Sequence, residues 1–245
     1  MSSIIDHYEN LLAEHYSWLF GGLQPKVEEN KKFFQARGIT PGNNRSAVDL
    51  GCGSGFQSLA LAQMGFRVLA VDLSSKLLSE LAAHKAGLDI RTVHDDLLRF
   101  PFHLKEPMEL CVCMGDTLTH IDSLANAARL FRSVSENLEP GGKFILTFRD
   151  YSFELKELDR FIPVRSEPHR IFTCFLEYEA EHVKVHDLVY EQIDSTWVFN
   201  KSFYRKSRIP LKWATEELLK AGLQVQLATL EKGIITISAV KKRTG

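Results

Sequence analysis

Three glycines at alternate positions, Gly51, Gly53 and Gly55, follow directly on the apolar run Ala47-Val48-Asp49-Leu50, and a helical pattern begins at Phe56. A residue without Cβ lets the backbone leave a strand sharply, approach a ligand closely and enter a helix within a few positions. Such a turn belongs at the carboxyl end of a parallel strand, and the chain beyond it agrees. The spacing predicts strands at 47–50, 67–71, 89–93, 109–114 and 143–148, with helices at 56–64, 76–86 and 123–138. That alternation argues for an α/β fold of βαβ units, with helices on both faces of a mainly parallel sheet. Gly65 closes the first of these helices, and Pro140-Gly141-Gly142 reads as a turn before the fifth strand.

The flanks have other textures. Residues 4–20 read as a helix rich in aromatics (Tyr8, Tyr16, Trp18, Phe20), and 25–36 as a charged amphipathic helix. Residues 170–209 alternate charged with β-branched and aromatic side chains, which predicts about three antiparallel strands with one solvated face. A helix at 211–221 and strands at 223–228 and 233–240 return to the core. At about 150 residues per domain, the expectation is a single domain over 1–245. Its parts are a helical lid (1–40), a cofactor-binding core (46–150), a small antiparallel β insertion as cap (170–209) and the final helix and strands (211–245).

The 30 Lys+Arg against 31 Asp+Glu give a net charge of −1, so the chain lacks the positive field that draws in nucleic acid. No apolar run is long enough to span a membrane, and the start Met1-Ser2-Ser3-Ile4 has no basic region or apolar stretch of a leader; the expectation is a cytoplasmic protein with no membrane partner. Cys52, Cys111, Cys113 and Cys174 are too few and scattered for a disulfide framework. Cys111 and Cys113 fall on one face of a strand, and neither has a ligand-spaced neighbour, so reduced core thiols and no metal are expected.

The glycine spacing departs from Gly-x-Gly-x-x-Gly, because the sixth place from Gly51 is Phe56; this weakens a dinucleotide reading. About twenty residues on, the second strand ends at Asp72, where a carboxylate accepts hydrogen bonds from both hydroxyls of a ribose. A helix cap is the other use of Asp72, and Ser74 can serve there as well.

Together, Asp49-Leu50-Gly51-Cys52-Gly53-Ser54-Gly55, the acid Asp72 and the stretch Val93-His94-Asp95-Asp96-Leu97 before Pro101 resemble the class I S-adenosylmethionine-dependent methyltransferases, over about residues 46–148. The resemblance implies a Rossmann-like seven-stranded sheet whose last strand is antiparallel. It implies that Asp49, Gly51, Cys52, Gly53 and Gly55 hold the methionine part of the cofactor and that Asp72 binds its ribose. Asp96, or the adjacent Asp95, would meet the adenine amine, with Leu73 and Leu97 against the ring. The strand break at Met114-Gly115 would lie beside the transferable methyl.

The stretches from Gly115 to His120 and Arg149-Asp150-Tyr151 are similar to small-molecule N-methyltransferases of the glycine/sarcosine type, with Asp116, Thr117 and Asp150 in place of Asn, Ser and Asn. The activity implied is transfer of the methyl of S-adenosylmethionine to a small molecule at nitrogen, releasing S-adenosylhomocysteine, by a monomer or homodimer. His120 is the candidate base, or a structural histidine. Arg149 either clamps a substrate carboxylate or pairs with Asp150 or Glu154. Asp116, Thr117 and Tyr151 are candidate substrate contacts, and so are Trp197 and Tyr204 in the cap with Phe203 and Arg205; exposed cap aromatics serve equally as an oligomer contact. Tyr16, with Tyr8 and Trp18, either covers the cofactor or packs into the core. Two rival functions are a non-catalytic S-adenosylmethionine-binding module and a methyltransferase acting on protein or RNA.

Overall fold

The computed structural model describes residues 4–243; the outermost positions of the expected domain, 1–3 and 244–245, lie outside the described residues. The predicted first helix is broken into short pieces: α1 (Ile4–His7), a π-helical turn at Tyr8–Leu12, a 3-10 turn at Ala13–His15 and α2 (Tyr16–Leu19). Changes of pitch let side chains of this strap face two surfaces at once, since Tyr16 packs on Phe56 of the core while Leu11 and Leu12 pack on Phe172 and Val189 of the cap. The helix α3 (Leu23–Ala36) holds Pro25 in its first turn, where a missing N–H costs nothing.

The core then runs β1 (Ser46–Leu50), α4 (Phe56–Gln63), β2 (Arg67–Asp72), α5 (Ser75–His84), β3 (Ile90–His94), β4 (Met108–Cys113), α6 (Leu124–Asn137) and β5 (Leu138–Arg149). After β5 come four strands, β6 (Phe161–Glu167), β7 (Arg170–Tyr178), β8 (His182–Ile193) and β9 (Thr196–Ser207), then α7 (Leu211–Lys220), β10 (Leu223–Glu231) and β11 (Ile234–Lys241). The main sheet has the order β10-β11-β5-β4-β1-β2-β3, and β11 runs antiparallel to both of its neighbours. Alternation along β1 serves both faces: Val48 and Leu50 pack with Phe131 and Leu218 on one side, Ala47 with Phe34 and Leu59 on the other. Cys111 and Cys113 are buried free thiols on the first of these faces.

Two expectations are corrected. Pro140-Gly141-Gly142 does not separate the helix from the fifth strand; β5 already pairs at Leu138 with Met108 and resumes at Lys143 with Leu110, so the residues between form a bulge. Residues 170–209 hold the three antiparallel strands expected, but the cap sheet starts earlier, at Phe161, with a fourth strand, in the order β6-β7-β8-β9. Pro163 hid the first of them, because proline argues against a strand unless the strand lies at an edge, as β6 does.

Candidate active site

Strand order reverses between β4 and β1, so the connections leaving their carboxyl ends diverge and open a crevice. Gly51, Gly53, Gly115 and Thr117 line it. The Thr117 hydroxyl lies 3.2 Å from the Gly51 carbonyl and 3.0 Å from that of Met114, tying the two strand ends together. Gly51 has φ of 69°, and a Cβ there would run into Thr117, so both backbone shape and space demand glycine.

The Asp72 carboxylate completes this wall by accepting from the backbone N–H of Gly53 and of Ser74, each at 2.8 Å. Burial pushes its carboxyl above the usual carboxylate range, against the pull of those amides. Ser74, not Asp72, caps α5: its hydroxyl accepts from the Leu77 N–H at 3.2 Å. At the end of β3, Asp95 and Leu97 also reach the cavity. Asp95 accepts from the His103 ring at 2.8 Å, which with the Asp96 amide holds its carboxyl below the usual range. Asp96 turns away; its carboxylate caps the 3-10 turn Leu97–His103 by accepting from the Leu98 N–H at 2.8 Å.

The opposite wall comes from the strap. Ile4, Ile5, Tyr8 and Tyr16 line the cavity, with the Tyr16 ring over Gly53. The Tyr8 hydroxyl and His120 Nε2 are 3.1 Å apart, and His120 Nδ1 is buried without a protein partner. Burial first, then the Lys206 and His7 charges, lower the proton affinity of His120 well below that of a free imidazole. The space between the two walls is about 620 Å³, part of it open solvent. Carboxylates at two strand ends, apolar Leu73, Leu77 and Leu97 between them, and a tight backbone turn suit a ligand with hydroxyl and amine donors around a flat apolar ring.

Other expected residues stand behind this cavity. Asp49 is buried and accepts from the Ser58 hydroxyl at 2.6 Å; burial pushes its carboxyl up to about 7. Cys52 is in the core, Gly55 starts α4 in a left-handed conformation against Leu81, and Met114 is buried with its carbonyl turned to Thr117. Asp116 is a structural node: it pairs with buried Lys206 and accepts from the Thr119 hydroxyl at 2.9 Å, the Arg149 N–H at 2.9 Å and the Tyr151 hydroxyl at 3.2 Å. Asp116, Arg149 and Tyr151 are therefore not brought to the cavity surface, and Arg149 offers only its backbone to the node while its side chain is exposed. Glu154 pairs with Arg208 instead of Arg149. Tyr204 is one layer back, its ring 4.4 Å from that of His7 and 5.3 Å from that of His120. Trp197 lies at the far end of β9, 47% exposed and away from the cavity. Phe203 and Arg205 face outward with it, and Trp18 sits between strap and cap beside Arg165 and Arg170.

Sequence reasoning missed Ile4, Ile5, Ser74 and Leu77 as lining residues, and it missed Lys206. A signal for Lys206 existed, since it shares the inward parity of Tyr204 on β9.

Residues 47–142 match the profile of a methyltransferase domain. A glycine/sarcosine N-methyltransferase of Aphanothece halophytica is 27% identical over 157 residues, 62% of this chain and 59% of that protein. A cypemycin N-terminal methyltransferase of Streptomyces sp is 31% identical over 110 residues, 45% of this chain and 44% of that protein. The matches thus span about half the length of these curated relatives. Among solved structures, an S-adenosylmethionine-dependent methyltransferase from Clostridium acetobutylicum ATCC 824 shares the fold, with a TM-score of 0.74 at 17% identity over 96% of both chains. Among the described residues no helix is long and apolar enough to cross a membrane.

Proposed function

We propose, from the methyltransferase-domain match over residues 47–142 and the fold shared with an S-adenosylmethionine-dependent methyltransferase, that this protein transfers the methyl of S-adenosylmethionine to a nitrogen of a small molecule. One observation carries the reading: the glycine turn, Asp72, Asp95 and a buried histidine of low proton affinity all meet in one cavity. Asp72 holds the ribose hydroxyls. Asp95 takes the adenine amine in place of Asp96, whose side chain is committed to its cap. Leu73 and Leu97 flank the ring, while Gly51, Gly53, Gly115 and Thr117 border the methionine part. Asp49, Cys52, Gly55 and Met114 support that wall from behind.

When bound, S-adenosylmethionine supplies a methyl group made electrophilic by a positive sulfur. The chain's own task is to align an amine with it and to keep water out. Ile4, Ile5 and Tyr8 cover the cavity and limit the acceptor to a small molecule. His120 is neutral at pH 7, so one ring nitrogen is unprotonated and can accept the proton an acceptor amine must lose, as a weaker base than a free imidazole because burial lowers its proton affinity. Tyr8 fixes the ring at Nε2 and leaves Nδ1 in want of a partner, a place for an acceptor N–H. The amine-methylating relatives favour nitrogen as the atom modified.

Calorimetry with S-adenosylmethionine, followed by radiolabelled methyl transfer to pooled small amines, alcohols and acids, tests the reading. Binding and transfer to amines are expected, with His120→Ala slowing transfer about 10²–10⁴-fold while leaving binding intact. Binding without transfer to any acceptor would leave a binding module. Transfer only to protein or RNA would sink the small-molecule assignment.

A further inference from the structure

The two faces of the cap sheet have different fates. Its inner face carries Phe172, Val185, Val189 and Tyr204, all buried. On the outer face, strand register places Phe161, Phe175, His186 and Phe203 in one row across all four strands, with successive ring centroids 4.7, 5.6 and 5.4 Å apart. A second row holds Ile171, Tyr190 and Phe199, the last two stacked at 4.5 Å. This face stays open: Phe161 is 49% exposed, Phe199 44% and Ile171 39%. Where β8 turns into β9, Ile193 and Val198 on the opposite face are exposed too, so that end of the hairpin is apolar on both sides.

We propose that the outer face of this sheet and the β8–β9 hairpin end form a two-fold interface with a second copy of the chain. The first argument is area. Five side chains on this face, Phe161, Ile171, Tyr190, Trp197 and Phe199, are 37–49% exposed; at about 200 Å² each they leave roughly 450 Å² of apolar surface. That already matches the largest patch of a typical monomer, about 300–600 Å² and often functional, before the hairpin end is added. With the half-buried Phe175, Leu188 and Phe203 between them, it supplies the apolar centre of a contact burying about 800 Å² per partner.

The second argument is charge. A two-fold contact brings a surface against its own image, so an unbalanced field would repel. Here charges bordering the patch are neutralised within the chain: Lys184 with Glu177 at 3.0 Å and Arg205 with Glu179 at 3.0 Å. Arg160 and Lys201 lie over the rings of Phe175 and Phe199. A balanced aromatic face suits a copy of itself better than a polyanion or an acidic protein. The inference is independent of the proposed chemistry.

Sedimentation velocity on the full chain over a dilution series decides it. A dimer is expected at micromolar concentration, with dissociation at least tenfold easier in Phe199→Glu and in Ile193→Lys, which lie on opposite faces of the hairpin. Both side chains are already solvent-exposed, so the variants should melt like the parent and bind S-adenosylmethionine equally well, and Lys212→Glu, elsewhere on the surface, should stay dimeric. A parent that is monomeric throughout, open-ended assembly beyond a dimer, or either hairpin variant remaining fully dimeric would overturn the proposal.

Discussion

The cavity has two walls built on different principles. The wall from β1 to β3 is made of backbone amides, glycines and short side chains, each fixed by the strand it ends, and its contacts join neighbouring loops such as Asp72 with Gly53. The wall from the strap is made of side chains, and the cap backs it through partners far away in sequence: His7 with Asp187 at 2.9 Å, Tyr8 with His120 at 3.1 Å, Lys206 with Asp116. The first can persist without the second. The second exists only when segments nearly two hundred residues apart have docked, and it depends on buried charge, where loss of one partner is costly.

The largest expected effect therefore falls on the strap and cap side. Lys206→Ala strands the buried Asp116 carboxylate and should cost about 3–5 kcal/mol in chemical denaturation. Pairing Lys206→Met with Asp116→Asn should restore most of it, and a single variant as stable as the parent would erase the contrast between the walls. Asp72→Ala should spare the fold more than the ligand. Losing two hydrogen bonds to a charged acceptor is worth about 3 kcal/mol, or roughly a hundredfold in S-adenosylmethionine affinity by calorimetry; unchanged affinity would remove Asp72 from the site.

Asp49→Asn should have the smallest effect, and one that depends on pH. The Asp49 carboxyl is raised to about 7 when folded, so between the usual carboxylate range and pH 7 the folded chain holds a proton that the unfolded chain has released. Stability should fall as pH rises through that window, the penalty being complete above it. Asn removes this slope and should leave the variant more stable than the parent at pH 8 and equal to it below the window. Equal slopes in denaturation at pH 5 and pH 8 for both chains would show that Asp49 does not carry the penalty.

The difference between the walls also explains what the sequence could reveal. Glycines at positive φ and an acid at a strand end are local requirements, so the turn at Gly51 to Gly55 and the carboxylate Asp72 were readable from spacing, whereas Asp95 entered only through the family resemblance, as the alternative to Asp96. Neighbouring acids were not separable, because only the cap geometry shows that Asp96 is spent on Leu98 while Asp95 faces the cavity. The sheet was legible for the same reason, down to the antiparallel final strand that the family resemblance implied. The strap and the cap were not. Nothing local distinguishes Asp116 as a node from Asp116 as a ligand contact, since its partner Lys206 lies 90 positions on. Trp197 reads as a pocket wall until the hairpin is seen to carry it away.

The placement of β11 between β5 and β10 has its own consequence for biosynthesis. A ribosome delivers this strand after everything it must join, so a nascent chain ending at β10 presents the raw border of β5 with no neighbour on that side. Until the last strand threads into that slot, the half-made sheet is a template for pairing with other chains, and a holding chaperone would have most to guard in that interval.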